Sequence, residues 1–252
     1  TAVDQVTVTV GSAVANAGPD QTICSGSSTS LNATGGTSYQ WSTGATGSTI
    51  TVNPFATTTY TVTVSDVNGC TDVDQVTVNV SSVNVEAGNN QTICLGSAAT
   101  LNATGTGTFF QWNTGATTSS ITVSPSTTTT YTVTASDANG CTAVDQVTVT
   151  VGSATANAGV DQTICLGSST TLSATGGTNY QWSTGATSST ITVNPSSTTT
   201  YTVTVSDNNG CTAVDQVTVN VSSVSVEAGN NQTICLGSST TLNATGTGTF
   251  YQ

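Results

Sequence analysis

The chain has 252 residues, with twelve acidic side chains and no Lys, Arg or His, which gives a formal charge of −12. Without cations it cannot displace counterions from nucleic-acid phosphates or dock on an anionic bilayer. No apolar run is long enough to span a membrane. Neither nucleic-acid binding nor membrane insertion is therefore expected. A Ser or Cys nucleophile would also have no His or Lys to activate it.

Read in chain order, the sequence repeats itself. Residues 1–10 carry the valine alternation of a closing strand and read as the last strand of a preceding domain. Residues 11–80 form repeat 1, 81–151 repeat 2 and 152–221 repeat 3, and 222–252 open a fourth. Gln-Thr-Ile-Cys marks each start, at Cys24, Cys94, Cys165 and Cys235, and Asn-Gly-Cys recurs at Cys70, Cys141 and Cys211. The pattern is already under way at residue 1, so the chain reads as an internal window of a longer protein. A second period lies over the first, because residues 142–252 nearly repeat 1–111. The unit of duplication is thus a pair of repeats.

Within repeat 1 the period-2 alternation predicts six strands. The first covers roughly residues 14–23 and is followed by 30–33, 39–41, 49–52, 60–64 and 76–80. Gly35-Gly36, Gly44, Asn53-Pro54 and Asp66-Val67-Asn68-Gly69 mark the turns, the last being a hairpin signal. No segment shows a helical period. Leu31, Tyr39, Trp41, Ile50, Val52, Tyr60, Val62, Val64, Val76 and Val78 fall on one face and define the expected core. Thr and Asn fill the other face, where β-branched Thr suits an exposed strand. A domain of this size buries only about 60% of its unfolded-chain surface, and small secreted domains usually compensate with disulfides.

The motifs Ala-Gly-Pro-Asp-Gln-Thr-Ile-Cys, Tyr-Gln-Trp-Ser-Thr-Gly-Ala-Thr, Thr-Thr-Thr-Tyr-Thr-Val-Thr-Val-Ser-Asp and Asn-Gly-Cys-Thr resemble the PKD-like and Ig-like repeats of large secreted surface proteins of Bacteroidetes type. The resemblance covers every repeat. It implies an all-β fold, a linear tandem array of Ig-like/PKD-like β-sandwich domains, and an extracellular or cell-surface location. It also implies a role as stalk, spacer or adhesive array. One departure is that no Asp is followed by Ser or Thr, so the glycosylation motif associated with those bacteria is missing.

The candidate site residues follow from this frame. Cys24, Cys70, Cys94, Cys141, Cys165, Cys211 and Cys235 read as disulfide partners, since no Cys-x-x-Cys or His is present to bind zinc. Two pairings stand. One lies within domains, Cys24–Cys70, Cys94–Cys141 and Cys165–Cys211. The other joins neighbours, Cys24–Cys141 and Cys94–Cys211, because an Ig topology places the two cysteines of one domain at opposite ends. Trp41, Trp112 and Trp182 are expected as core aromatics, with Tyr60, Tyr131 and Tyr201 in the position of a tyrosine corner. Asn32, Asn79, Asn90, Asn102, Asn220, Asn231 and Asn243 head Asn-x-Ser/Thr sequons and are candidate glycosylation sites. The Thr runs at 57–59, 127–130 and 198–200 are candidates for O-glycans. Calcium at domain junctions is the one cofactor the acidic turns suggest. Domains 2 and 3, however, carry Ala143 and Ala213 where domain 1 has Asp72, and an EF-hand needs more acids. The acids recur in turns and strand edges and do not pair across a cleft as a glycosidase requires, so no enzyme is expected. The leading expectation is a structural segment of an extracellular fibre or surface stalk, with self-association into a fibre. The alternative is an adhesin array that binds glycans or other cells, for which Phe55 and Phe109 are the exposed-loop aromatics. Ice or mineral binding through Thr61 and Thr63 is a third reading, disfavoured by sheet twist.

Overall fold

A computed structural model describes residues 2–247. Thr1 and residues 248–252, which include the start of the expected third strand of repeat 4, lie outside the described residues. The chain divides into two compact units. The first is Thr1–Gln91 with Ala99–Val123 and Thr129–Thr148, and the second is Thr92–Ala98 with Ser124–Thr128 and Val149–Gln252. All regular structure among the described residues is β.

Repeat 1 contributes β1 (Gln21–Cys24), β2 (Thr29–Asn32), β3 (Ser38–Trp41), β4 (Thr49–Val52), β5 (Thr58–Ser65) and β6 (Thr71–Ser81). They form a four-stranded sheet in the order β1-β6-β5-β3, faced by a two-stranded sheet of β2 and β4. Repeat 2 has β7 (Val85–Glu86), β8 (Gln91–Cys94), β9 (Ala99–Asn102), β10 (Thr104–Gly105), β11 (Phe109–Trp112), β12 (Ser120–Val123), β13 (Thr129–Ser136) and β14 (Thr142–Gly152). Its order, β11-β13-β14-β8 with β12 against β9, is the same topology. Repeat 3 has β15 (Gln162–Cys165), β16 (Thr170–Ser173), β17 (Asn179–Trp182), β18 (Thr190–Val193), β19 (Thr199–Ser206) and β20 (Thr212–Ser222), in the order β15-β20-β19-β17 with β16 against β18. Among the described residues beyond it, only β21 (Val226–Glu227) and β22 (Thr245–Gly246) form, paired with each other.

The alternation of the sequence is what these strands use. Along β4 and β5 every second residue is buried, so Ile50, Val52, Tyr60, Val62 and Val64 turn inward while the intervening threonines face out. The core of repeat 1 is closed by Leu31, Trp41, Val76 and Val78 together with Ala17 and Ala33, and Tyr39 is only partly buried against it. Repeat 3 repeats this set with Leu172, Trp182, Val203, Val205, Val217 and Val219. Among the described residues no polar or charged residue is buried, so the small cores carry no desolvation penalty from unpaired polar groups.

Two expectations are corrected. The first strand does not run unbroken over 14–23. Asn16 bridges to Thr34, and the chain then turns at Gly18, whose φ of +82° suits glycine. It resumes as β1, which pairs in parallel with β6. The stretch thus begins beside one sheet and ends as an edge of the other. Secondly, the stretches read as terminal strands do not form them: residues 2–10 are irregular and exposed, and so are residues 230–243 apart from bends and turns.

Candidate functional site: the repeat junctions

The parallel register of β1 on β6 sets the position of the cysteines. Cys24 lies opposite Ser81, the last residue of β6, whereas Cys70 immediately precedes Thr71, the first. An eleven-residue strand at about 3.3 Å per residue separates the two levels by roughly 35 Å. A disulfide needs Cα atoms within about 7 Å, so Cys24 and Cys70 of one sandwich cannot meet. The same register in repeat 3 puts Cys165 opposite Ser222. The within-domain scheme is therefore excluded by geometry.

The bonds that form join consecutive repeats. Cys24 pairs with Cys141 and Cys94 with Cys211, each with a Cα–Cα distance of 5.4 Å and a sequence separation of 117. Cys70, Cys165 and Cys235 are free thiols, the first half-buried and the other two exposed.

The turn that presents Cys141 is built by one carboxylate. Asp137 Oδ1 accepts the amides of Asn139 at 2.9 Å and Cys141 at 2.8 Å. Gly140 provides the left-handed residue the turn requires, at φ +81°. Asp66 does the same for Asn68 and Cys70, and Asp207 for Asn209 and Cys211. This holds each Cys at the tip of the hairpin, and Cys141 and Cys211 are buried there.

The preceding repeat meets this turn through the end of its last strand. At the junction of repeats 1 and 2, the Ser25 amide donates to the Ser81 carbonyl at 2.9 Å, and the Ser81 hydroxyl donates to Asp137 Oδ2. That hydroxyl, ahead of the Cys141 and Asn139 amides, holds the Asp137 carboxyl below its ordinary pKa against a weaker opposing effect of burial. The Cys70 amide does likewise for Asp66. At the junction of repeats 2 and 3, Leu95 N donates to Gly152 O at 2.9 Å. Here there is no room for a side chain in the present packing: a Cβ on Gly152 would stand 2.7 Å from Asp207 Oδ2 and 2.9 Å from Cys211 Sγ. Gly11 stands in the same relation to Asp66 and to the free Cys70, at 2.5 and 2.9 Å.

The acids behind the calcium reading are engaged in the fold. Asp72 Oδ2 accepts the Ala15 amide and Asp74 Oδ2 the Ala17 amide, each at 2.8 Å. Asp145 and Asp215 accept from Ala87 and Ala158 in the same way. These amides hold Asp74, Asp145 and Asp215 below the ordinary carboxylate value. Asp20, Asn90 and Asp161 accept in turn from Thr77, Thr148 and Thr218 of the last strands. Among the described residues no group of three His, Cys, Asp or Glu stands close enough together to hold a metal ion. Sequence reasoning missed this role, in which carboxylates satisfy the amides of an irregular first segment. The available signal was that Asp74, Asp145 and Asp215 recur at the same repeat position while Asp72 does not.

The three tryptophans are buried, and each indole N–H donates to a carbonyl six residues on: Gly47 at 2.9 Å, Thr118 at 3.0 Å and Ser188 at 3.0 Å. Tyr60, Tyr131 and Tyr201 are buried beside them. The sequon asparagines Asn32, Asn79, Asn90, Asn102, Asn220, Asn231 and Asn243 all lie on the surface. A shallow groove of about 510 Å³ on repeat 2 is lined by Thr108, Phe109, Gln111, Thr134 and Ser136, with Phe109 exposed. Its counterpart on repeat 3 has Asn179 in place of the aromatic ring. Among the described residues no helix is long and apolar enough to cross a membrane.

This topology, two sheets packed face to face in the same strand order in each repeat, defines a tandem chain of Ig-like β-sandwiches. No protein-family model and no curated protein matches the sequence. Solved structures similar to it include arrays of immunoglobulin domains. Immunoglobulin domains 1–4 of Sidekick-1 show 12% identity over 83% of this chain and 76% of theirs, with a TM-score of 0.37. The three N-terminal domains of the outer capsid protein Hoc of bacteriophage RB49 show 16% identity over 79% and 95%, with a TM-score of 0.37. The insect immune protein hemolin shows 12% identity over 85% and 78%, with a TM-score of 0.29.

Proposed function

We propose that the chain is a structural segment of an extracellular fibre or surface stalk, in which sandwiches stapled by disulfides set a fixed spacing. The observation that supports this reading is the pair of bonds from Cys24 to Cys141 and from Cys94 to Cys211, which tie each repeat to the next. A bond between domains does little for the stability of either domain alone; what it restricts is their relative motion. Disulfides persist in oxidising surroundings outside the cell, and a surface without Lys or Arg offers no site for trypsin-like proteases. Calcium at the junctions and a glycan coat on the surface asparagines are compatible additions to this role.

Negative-stain electron microscopy of the unreduced and reduced protein tests the reading. Uniform, stiff particles that become flexible on reduction are expected. Particles whose stiffness does not depend on the disulfides would overturn it. The adhesin alternative is favoured by one feature, the exposed Phe109 in its Thr- and Gln-lined groove, since aromatic faces stack on sugars. Glycan-array binding lost in Phe109→Ala would support that alternative.

A further inference from the structure

The disulfides do more than join neighbours, because of which residues they leave between them. In each repeat the stretch between its two cysteines, 24–70, 94–141 or 165–211, contains most of the strands of the sandwich: β2 to β5, β9 to β13 and β16 to β19. The stretch from the second cysteine of one repeat to the first of the next, 70–94, 141–165 or 211–235, contains only the long last strand, the connection and the segment leading into the next repeat. Each of these connecting stretches is 24 residues. The bonds skip the first kind of stretch and join the ends of the second. One covalent route therefore runs from Cys24 across its disulfide to Cys141 and along the backbone to Cys165. The other runs from Cys70 along the backbone to Cys94, across the disulfide to Cys211, and on to Cys235. Neither passes through the body of any repeat.

We infer that these routes are tension-bearing shunts, so that a pull between two points on one route is carried by covalent bonds and strands that are already extended, and no sandwich body between them is unravelled. An array of ordinary tandem sandwiches lengthens under load as its domains unfold one by one. Here each body lies in a closed loop, and its unfolding releases no length between points on a shunt. The inference rests on connectivity alone and stands apart from the stalk reading.

Optical tweezers test it on the full chain, using two thiols that are free in the structure and lie on the second route. Handles are attached through thioethers at Cys70 and Cys235 in a Cys165→Ser background. With disulfides intact, the route comprises two 24-residue stretches and saturates at about 170 Å of contour, taking about 3.6 Å per residue. Reduction exposes the whole backbone from Cys70 to Cys235, 165 residues, or about 590 Å on the same scale. The expected result is a roughly 3.5-fold increase in maximum extension on reduction, with unfolding steps of whole repeats seen only after it. The double variant Cys94→Ser/Cys211→Ser should reach the long extension without reductant. Cys24→Ser/Cys141→Ser should stay short, because that bond is not on the route between the handles. Full extension of the unreduced protein, or equal extension of the two double variants, would overturn the inference. Extension is readable even if a variant does not fold, and neither result depends on the particle shape that tests the stalk reading.

Discussion

Residues 2–13 and 143–154 are the same twelve amino acids, Ala-Val-Asp-Gln-Val-Thr-Val-Thr-Val-Gly-Ser-Ala, and they take two different structures. In the second copy Val147 and Val149 are fully buried in β14, whereas in the first Val6 and Val8 are 89% and 81% exposed and no strand forms. A parallel contrast lies between residues 85–105 and 226–246. Leu101 is fully buried in β9 opposite Ile121, while Leu242 is 72% exposed outside any strand. Only the small pairing of β21 with β22 survives there, matching β7 with β10. Strand propensity is therefore permissive in this composition, and the strand exists where a neighbouring strand supplies hydrogen bonds and a face to pack on. β21 finds its partner inside this stretch, whereas the strand that covers Leu101, β12, lies outside residues 85–105.

The contrast can be tested most severely with a buried charge. Val147→Asp places a carboxylate in a fully apolar site and should destabilise repeat 2 by about 4 kcal/mol or more. Val6→Asp, the same change in the same local sequence, should stay within about 0.5 kcal/mol. Denaturant unfolding followed by tryptophan fluorescence measures both, and similar losses would mean that residues 2–13 are packed after all. A smaller effect separates the second pair of copies. Leu101→Ala should cost about 2–5 kcal/mol and Leu242→Ala close to nothing, read in the same way.

The smallest expected effect concerns pH. Asp74, Asp137, Asp145 and Asp215 are held below the ordinary carboxylate value in the folded chain by the groups that donate to them. A depressed folded pKa contributes stability that is complete above the unfolded value, about 3.9, and is lost as pH falls through the folded value. Thermal stability should thus be flat near neutrality and decline below about pH 4. Asp145→Ala, which removes the acceptor of the Ala87 amide, should weaken that decline. A decline of unchanged depth would show that the carboxylate does not sense the fold.

Much of the sandwich could be read before any coordinates. Alternation at Ile50, Val52, Tyr60, Val62 and Val64 assigns faces because side chains in a strand point to opposite sides with period 2. What alternation cannot assign is the partner of a strand. The parallel pairing of β1 with β6 is a tertiary choice, and it is this pairing that places Cys24 beside Ser81 and far from Cys70. The sequence consequently left two disulfide schemes open. The turn at Gly18 and the amide-binding roles of Asp74 and Asp145 were hidden for the same reason: each serves a segment distant in sequence. The free Cys70 shows the limit in another way, since its local sequence matches that of the bonded Cys211 in Asn-Gly-Cys-Thr.

The disulfides always join unlike positions, the end of a first strand on one repeat and the tip of a hairpin on the next. In the language of symmetry this contact is heterologous, and no two-fold axis relates its halves. A heterologous contact does not saturate when two bodies meet, because each still carries the complementary half of the joint. It also gives the chain a direction, so that its two ends are chemically different. Copies joined by this contact alone would all point the same way.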